Sequence, residues 1–200
     1  MPLTFQITSN ISPSSKRTSL SFPPSLPQTE ARYMIIKEIL NRRSVREYKP
    51  GAVPEEYITE IIKAGQFAPT ARHNQAVEFI VVKNQETKDK IFEIVGQEFV
   101  KEAAVLIIPA TDTAKTNCPV QDLSVASENM FLQATALGLG TVWKALKEEG
   151  FNEEEKIKKL LEIPEQYKII NIIPVGYPKE KPEPHHDRDF DEKKIHQEKW

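Results

Sequence analysis

Several features are scarce in this sequence of 200 residues, and each scarcity excludes a class of protein. The single cysteine, Cys118, cannot form an internal disulfide or a cysteine-rich metal knuckle, so a reducing, cytoplasmic location is expected. The 27 basic and 29 acidic residues lack the basic excess of nucleic-acid-binding proteins. No apolar run approaches the length that crosses a bilayer, so we expect neither a nucleic acid nor a membrane as partner.

Acidic residues are absent before Glu30, and serine and proline dominate this segment. Such a composition offers little apolar surface to bury, so residues 1–33 are predicted to be a disordered extension. The segment also resembles an organelle transit peptide, although it has few arginines. A third interpretation is that the natural chain starts at Met34. The globular domain is assigned to residues 34–200.

A basic cluster follows the first apolar helical pattern of that domain. Three arginines and a serine fall within five residues, namely Arg42, Arg43, Ser44 and Arg46. Guanidinium groups match phosphate oxygens two at a time, and a hydroxyl can add a short contact. The cluster therefore indicates an anion site, although arginines near a helix end often only solvate a surface.

Hydrophobic periodicity predicts the elements around this cluster. A short helix presents Ile35, Ile36, Ile39 and Leu40 before it, and residues 68–75 form a loop. Further helices are predicted from Pro54 to Gly65, around Lys88 to Val95, from Gln121 to Leu137 and after Asn152. Strands are predicted at 77–82, 105–108 and 168–174, followed by a turn at 175–178.

Two segments carry predictions about their surroundings. The helix from Gln121 to Leu137 has only two charged residues, so it must be buried, either in one core or partly against a second subunit. The tail from Lys179 to Trp200 is polar but ends on an aromatic residue, so it is expected to pack on something. The charged run from Lys147 to Lys159 is interpreted as a solvated helix face.

Five short motifs occur in a characteristic order along residues 34–200. They are the run Arg42–Arg46, the sequence Ala-Pro-Thr-Ala from Ala68, the stretch Asp122–Trp143 with its Gly-Leu-Gly-Thr, the sequence Pro174–Pro178, and Arg188. Together they closely resemble the nitroreductase family of FMN-dependent oxidoreductases.

The resemblance implies an α+β fold, with a central, mostly antiparallel sheet flanked by helices, and an intertwined homodimer with one FMN in each of two interface clefts. Arg42, Arg43, Ser44 and Arg46 would hold the phosphate, the ribityl chain and the pyrimidine edge. The remaining cofactor contacts would come from Pro69, Thr70 and Ala71 of the other subunit, from Gly140 and Thr141 beside the ring, and from Arg188. A cation near the reduced flavin would stabilise its negative charge.

The implied activity is hydride transfer from NADH or NADPH to the flavin and then to a nitroaromatic, a quinone or a similar small acceptor, by a ping-pong mechanism. Two alternatives stay open: other flavin chemistry on the same fold, such as reductive dehalogenation or dehydrogenation, and a non-enzymatic flavin-binding protein. The chain departs from the family where His73 replaces an asparagine, so His73 or Asn74 could contact the flavin.

Three other sequence motifs could indicate a functional site, but none of them is assigned a function. Gly138-Leu139-Gly140 follows a helix and lacks a third glycine, so it is not a dinucleotide-binding fingerprint. His185, His186 and Asp187 have the composition of a metal site, but no other ligand cluster accompanies them and no metal is expected. Cys118 has no assignable base.

Overall fold

The structure is a computed structural model that describes residues 35–147 and 150–200. The predictions for residues 1–33 lie outside the described residues. The described part contains six helices: α1 (Lys37–Asn41), α2 (Glu55–Gln66), α3 (Gln85–Val95), α4 (Glu98–Glu102), α5 (Pro119–Ala136) and α6 (Glu153–Leu160). The strands are β1 (Val77–Val82), β2 (Val105–Asp112), β3 (Gly140–Thr141), β4 (Lys144–Ala145), β5 (Tyr167–Ile169) and β6 (Asn171–Gly176).

These strands form one six-stranded sheet in which every pair of strands is antiparallel. The main path is β1-β2-β6-β3, with β5 also paired to β2 and β4 also paired to β6. Ile108 of β2 lies opposite Ile80 of β1, and Ile107 lies opposite Ile173 of β6. The antiparallel sheet with flanking helices confirms the predicted fold class.

Alternate residues of β2 pack into two separate cores, because successive side chains of a strand point to opposite faces of the sheet. Leu106 and Ile108 pack with Ile91 of α3 and Ile157 of α6. Val105 and Ile107 pack with residues of α2 and α5, including Ile61, Met130 and Ala134. The sheet therefore lies between two helical layers, which explains why β2 reads as a continuous apolar run.

Most of the predicted elements are confirmed, and β1 has the predicted bounds. Gly65 does not end its helix: it is buried in the last turn of α2, where an added Cβ would lie 2.8 Å from the ring of Phe79. The strand predicted at 168–174 is two strands, interrupted at Ile170. Val175 and Gly176 belong to β6, so the predicted turn at 175–178 was wrong.

The charged run before and within α6 is not simply a solvated face. Glu153 is 2 % exposed and forms an ion pair of 2.8 Å with Lys144, which is 3 % exposed. The same carboxylate accepts a hydrogen bond of 2.9 Å from the Lys147 amide. Asn152 precedes the helix as predicted, but its side chain makes no capping hydrogen bond.

Several large apolar side chains are exposed to solvent in the single chain. Ile35, Ile36 and Ile39 around α1 are about half exposed, and Phe67 after α2 is 80 % exposed. Helix α5 buries one face, which includes Leu123, Ala126 and Met130, and leaves others partly open. In the tail, Trp200 is fully exposed and stacks on His196 at 4.1 Å, so the expected packing of the tail is not seen within one chain.

Among the residues that the structure describes, no helix combines the length and the apolar character needed to cross a membrane.

Candidate functional site

The arginine-bearing segment lies along the edge of β3. Ser44 forms a parallel bridge with Thr141, and the Val45 amide donates to the Thr141 carbonyl at 2.9 Å. Gly140 permits this approach, because a Cβ added there would lie 2.7 Å from the Val45 side chain. The structure thus brings the predicted positions Ser44, Gly140 and Thr141 together.

Tyr48 fixes the far end of the same segment. Its buried hydroxyl donates to the Val45 carbonyl at 2.9 Å, and its backbone forms a bridge with Pro178. Burial raises the pKa of the Tyr48 hydroxyl, while the nearby Arg46 acts in the opposite direction. The aromatic ring lies where Gly176 has no side chain, since an added Cβ would be 2.8 Å from it. The hydroxyl is therefore a neutral anchor.

The three guanidinium groups of the segment point to different surroundings. Nε of Arg42 lies 3.9 Å from a carboxylate oxygen of Glu128 on α5. Arg43 donates from Nη1 to the carbonyl of Glu183 at 2.9 Å. Arg46 lines an open cleft of about 510 Å³ together with Trp143, Lys144 and Lys147, among other residues. The first two groups therefore face α5 and the tail, and the third faces the cleft.

The tail returns to this segment and brings Arg188 near it. The His185 amide donates to the Leu40 carbonyl at 2.8 Å, which ties the tail to the end of α1. Nη2 of Arg188 lies 3.8 Å from Oε1 of Glu183, the residue whose carbonyl accepts from Arg43. Arg43 and Arg188 are thus neighbours of one glutamate.

The loop of residues 69–75 is held by α5 and by the segment before it. Oδ1 of the buried Asp122 accepts from the Ala71 amide at 2.9 Å, and its Oδ2 accepts from the Thr116 hydroxyl at 2.7 Å. The Asn74 amide group donates to the Lys115 carbonyl at 3.2 Å. The Thr70 hydroxyl accepts from the Gln75 amide at 3.1 Å.

The loop backbone is strained, since Arg72, His73 and Gln75 all have φ near +50°. Pro69 and His73 are exposed. Within the two described ranges, no hydrogen bond or ion pair joins residues 69–75 to residues 42–46. Within these ranges, one chain therefore does not join the loop to the arginine segment by hydrogen bonds or ion pairs.

Three residues that hold this region together were not identified from the sequence, namely Tyr48, Asp122 and Glu183. Tyr48 and Glu183 gave no signal in the sequence pattern. Asp122 did give one, because it is one of only two charges on an otherwise apolar helix, and such a residue needs a buried partner.

The remaining candidates have local partners. His186 lies 2.9 Å from Glu183, and His185 lies 3.5 Å from Asp189. The half-buried Cys118 precedes α5, with its sulfur 3.6 Å from the side-chain oxygen of Asn117. No group of three or more potential metal ligands occurs among the described residues.

Comparison with known proteins gives consistent results. The model of the nitroreductase family matches residues 39–106 and 95–177. A protein of Methanothermobacter thermautotrophicus named "Putative NADH dehydrogenase/NAD(P)H nitroreductase" is 40 % identical over 171 residues, which cover 83 % of this chain and 87 % of that protein. The FMN reductase [NAD(P)H] of Bacillus subtilis is 28 % identical over 166 residues, covering 72 % of this chain and 66 % of the enzyme.

Solved structures show the same fold. An FMN-dependent nitroreductase from Clostridium difficile R20291 superposes with a TM-score of 0.77 at 31 % identity, covering 83 % of this chain and all of that one. A structure from Parabacteroides distasonis, described with the same words as the Methanothermobacter protein, gives a TM-score of 0.76 at 36 % identity, covering 82 % of this chain and 96 % of that one.

Proposed function

Because the chain belongs to the nitroreductase family, we propose that it is an FMN-dependent oxidoreductase that takes hydride from NADH or NADPH and reduces a small-molecule acceptor. The observation that carries the proposal is the arginine-bearing segment, joined to Thr141 on one side and to the tail on the other. When bound, FMN supplies the chemistry, since it accepts a hydride and passes electrons on.

The donor set fits a flavin phosphate. A phosphate dianion is best held by several guanidinium groups and a hydroxyl, and Arg42, Arg43, Ser44 and Arg188 offer these. The present ion pairs of Arg42 and Arg188 with carboxylates span 3.8 to 3.9 Å, and they are partly exposed at Arg42 and on the exposed surface at Arg188. Such pairs contribute little free energy, so a phosphate can replace them.

Arg46 is assigned to the pyrimidine edge of the flavin. It is exposed and lines the cleft that also contains Trp143 and Lys147. A cation at this edge would stabilise the negative charge of the reduced flavin and raise its reduction potential. Gly140 and Thr141 would lie beside the ring, because Thr141 pairs with Ser44 and Gly140 lies against the Val45 side chain.

The second half of the site would come from another subunit. Residues Pro69–Ala71, with His73 or Asn74, form a braced loop that makes no hydrogen bond or ion pair to the arginine segment within the described part of its own chain. The exposed apolar side chains of α1, Phe67 and α5 offer the surface for a homodimer. Dimerisation would bring the loop of one subunit to the flavin of the other.

The acceptors expected in assay are nitroaromatics and quinones. One open cleft that serves the nicotinamide and then the acceptor requires the first product to leave before the second substrate enters. We therefore expect ping-pong kinetics with parallel double-reciprocal lines. An obligatory ternary complex would contradict this mechanism.

The cofactor assignment has a direct test. Purified protein should be yellow, or become yellow with added FMN, and NADH or NADPH should bleach it in the absence of air. A protein that gains no flavin absorbance would refute the assignment. A yellow protein whose colour is bleached by neither NADH nor NADPH would contradict the proposed oxidoreductase activity.

The phosphate site is tested by Arg42→Ala and Arg188→Ala. Each variant loses charge-assisted hydrogen bonds worth about 1.5–3 kcal/mol, so FMN should bind about ten- to a hundredfold more weakly. Quenching of flavin fluorescence gives the dissociation constant. Lys193→Ala, an exposed cation in the same tail, is the control and should leave it unchanged. Unchanged affinity in both arginine variants would refute their phosphate role.

A further inference from the structure

A second cationic cleft lies beside the arginine segment. It has a volume of about 530 Å³, which is in the usual range of small-molecule sites. Its walls come from α1, from residues 43–49, from the end of α5 and from residues 177–182. They contribute four cations and, among the described residues that line the cleft, no acid; the cations are Lys37, Arg43, Lys49 and Lys181.

This cleft is separate from the one that contains Arg46. Arg43 and Val45 line the first cleft, whereas Arg46 lines the second with Trp143. The segment runs as an extended strand beside Thr141, and alternate residues of an extended chain point to opposite sides. The same short segment therefore presents cations to two different cavities.

Three lysines of the first cleft lack a balancing carboxylate. Within residues 35–147 and 150–200, no carboxylate lies within ion-pair distance of Lys37, Lys49 or Lys181. Some other surface lysines have such partners, as Lys90 has in Glu86 and Lys179 has in Glu47. Like charges around one concave site repel each other, and a bound anion removes this cost.

The floor of the cleft is suited to an organic ring rather than to a bare ion. The buried Val45 and Leu139 line it together with Pro178 and Tyr177. Asn41 also lines the cleft, and its side-chain amide can form hydrogen bonds. Apolar walls with a few convergent polar and charged groups are typical of nucleotide-sized ligand sites.

We propose that this cleft binds a nucleoside phosphate, with the phosphate on Lys37, Lys49 and Lys181 and the nucleoside on the apolar floor. The site borders the flavin site of the proposed function, because Arg43, which is assigned there to the flavin phosphate, also lines this cleft. The N-terminal segment is a poor alternative occupant, because its first 29 residues contain no acid and include Lys16 and Arg17. Its charge does not complement the lysines.

The test is calorimetric titration of FMN-saturated protein with adenosine 5′-monophosphate and, separately, with inorganic phosphate. The double variant Lys49→Gln/Lys181→Gln should bind the nucleotide about tenfold more weakly, since two exposed charge contacts are lost. The control is Lys156→Gln/Lys159→Gln, which removes the same two positive charges but from the exposed side of α6. It should bind the nucleotide with the affinity of the unsubstituted protein.

Three outcomes would overturn the proposal. The first is that no nucleotide binds at millimolar concentration, and the second is that inorganic phosphate binds as tightly as the nucleotide. The third is that flavin fluorescence rises as the nucleotide binds, because FMN is released. The last would show that the nucleotide occupies the flavin site. A colourless protein that still binds the nucleotide would refute the proposed function and leave this proposal intact.

The source of the nucleotide is distinguished by kinetics. If the cleft holds the adenylate end of NADH or NADPH, the double lysine variant should show a raised KM for the nicotinamide with kcat unchanged. If the cleft holds a separate nucleotide, KM should be unchanged while the calorimetric affinity still falls. Either result supports the site, and parent-like values in both measurements would overturn it.

Discussion

Lys144 and Glu153 form a buried ion pair that braces the chain after β4. Two charges in a low-dielectric interior are stable only when each satisfies the other. The Glu153 carboxylate also accepts from the Lys147 amide, and the Glu153 amide donates to the Lys147 carbonyl at 3.1 Å. One residue thereby fixes the backbone that leads from Trp143 along the cleft of Arg46.

The pair predicts a specific pattern of stability changes. Glu153→Leu leaves the Lys144 ammonium buried and unpaired, so the free energy of unfolding should fall by about 3 kcal/mol or more. Adding Lys144→Met should recover much of this loss, because both charges are then removed. Chemical denaturation measures both values.

The control for this pair is Glu98→Gln, which breaks an exposed ion pair with Lys101 and should change stability by at most about 1 kcal/mol. A double variant no more stable than Glu153→Leu alone would contradict the interpretation.

At the scale of elements, the contact between β3 and the arginine segment depends on the missing side chain of Gly140. An alanine there would place its Cβ 2.7 Å from Val45 Cβ and from both of its methyl groups. These atoms are close to the backbone, so the segment itself would have to move away from Thr141.

Gly140→Ala should therefore destabilise the fold by about 1–3 kcal/mol and also weaken FMN binding. Flavin fluorescence and denaturation report the two effects separately. Gly138→Ala is the matched control: its Cβ would meet nothing within 4 Å, but its φ of +75° makes alanine strained by about 1 kcal/mol. Gly138→Ala should cost stability without changing FMN affinity, and equal effects of the two variants on FMN would contradict the contact.

At the scale of the whole molecule, an apolar groove of about 380 Å³ is open on one chain. Its apolar lining residues include Ile36 just before α1, Ala64 of α2, Phe67 just after α2, and Leu132 of α5. Exposed apolar surface of this kind marks an interaction site, and in the proposed homodimer a second copy of the chain covers it.

Phe67→Glu should disrupt this dimer, because it places a charge in an apolar interface. We expect a shift from dimer to monomer in sedimentation velocity, together with loss of bound FMN. Phe151→Glu is the control, since Phe151 is another exposed phenylalanine, at 54 %, but does not line the groove. A Phe67→Glu protein that stays dimeric would show that the interface lies elsewhere.

The pattern of apolar residues was sufficient to predict most elements, whereas the fold class was implied by the family resemblance. β1 has the predicted bounds, and the four buried residues at the start of β2 were recognised as a strand covered on both faces. The pattern failed where local signals compete with packing. Gly65 reads as a helix end, yet α2 continues to Gln66, and the Phe79 ring occupies the space that a side chain at position 65 would need.

The sequence by itself determined the family, through five short motifs in a characteristic order, and the family resemblance implied the antiparallel α+β architecture. Residue type also sets the periodicity and the hydrogen-bonding capacity along the chain, from which most of the elements were predicted. The tertiary structure alone decided that Glu153 is buried against Lys144, that Asp122 holds the Ala71 loop, and that Arg43 and Arg46 line different clefts. These facts depend on contacts between residues distant in sequence, or on the direction in which a side chain points, and a linear pattern encodes neither.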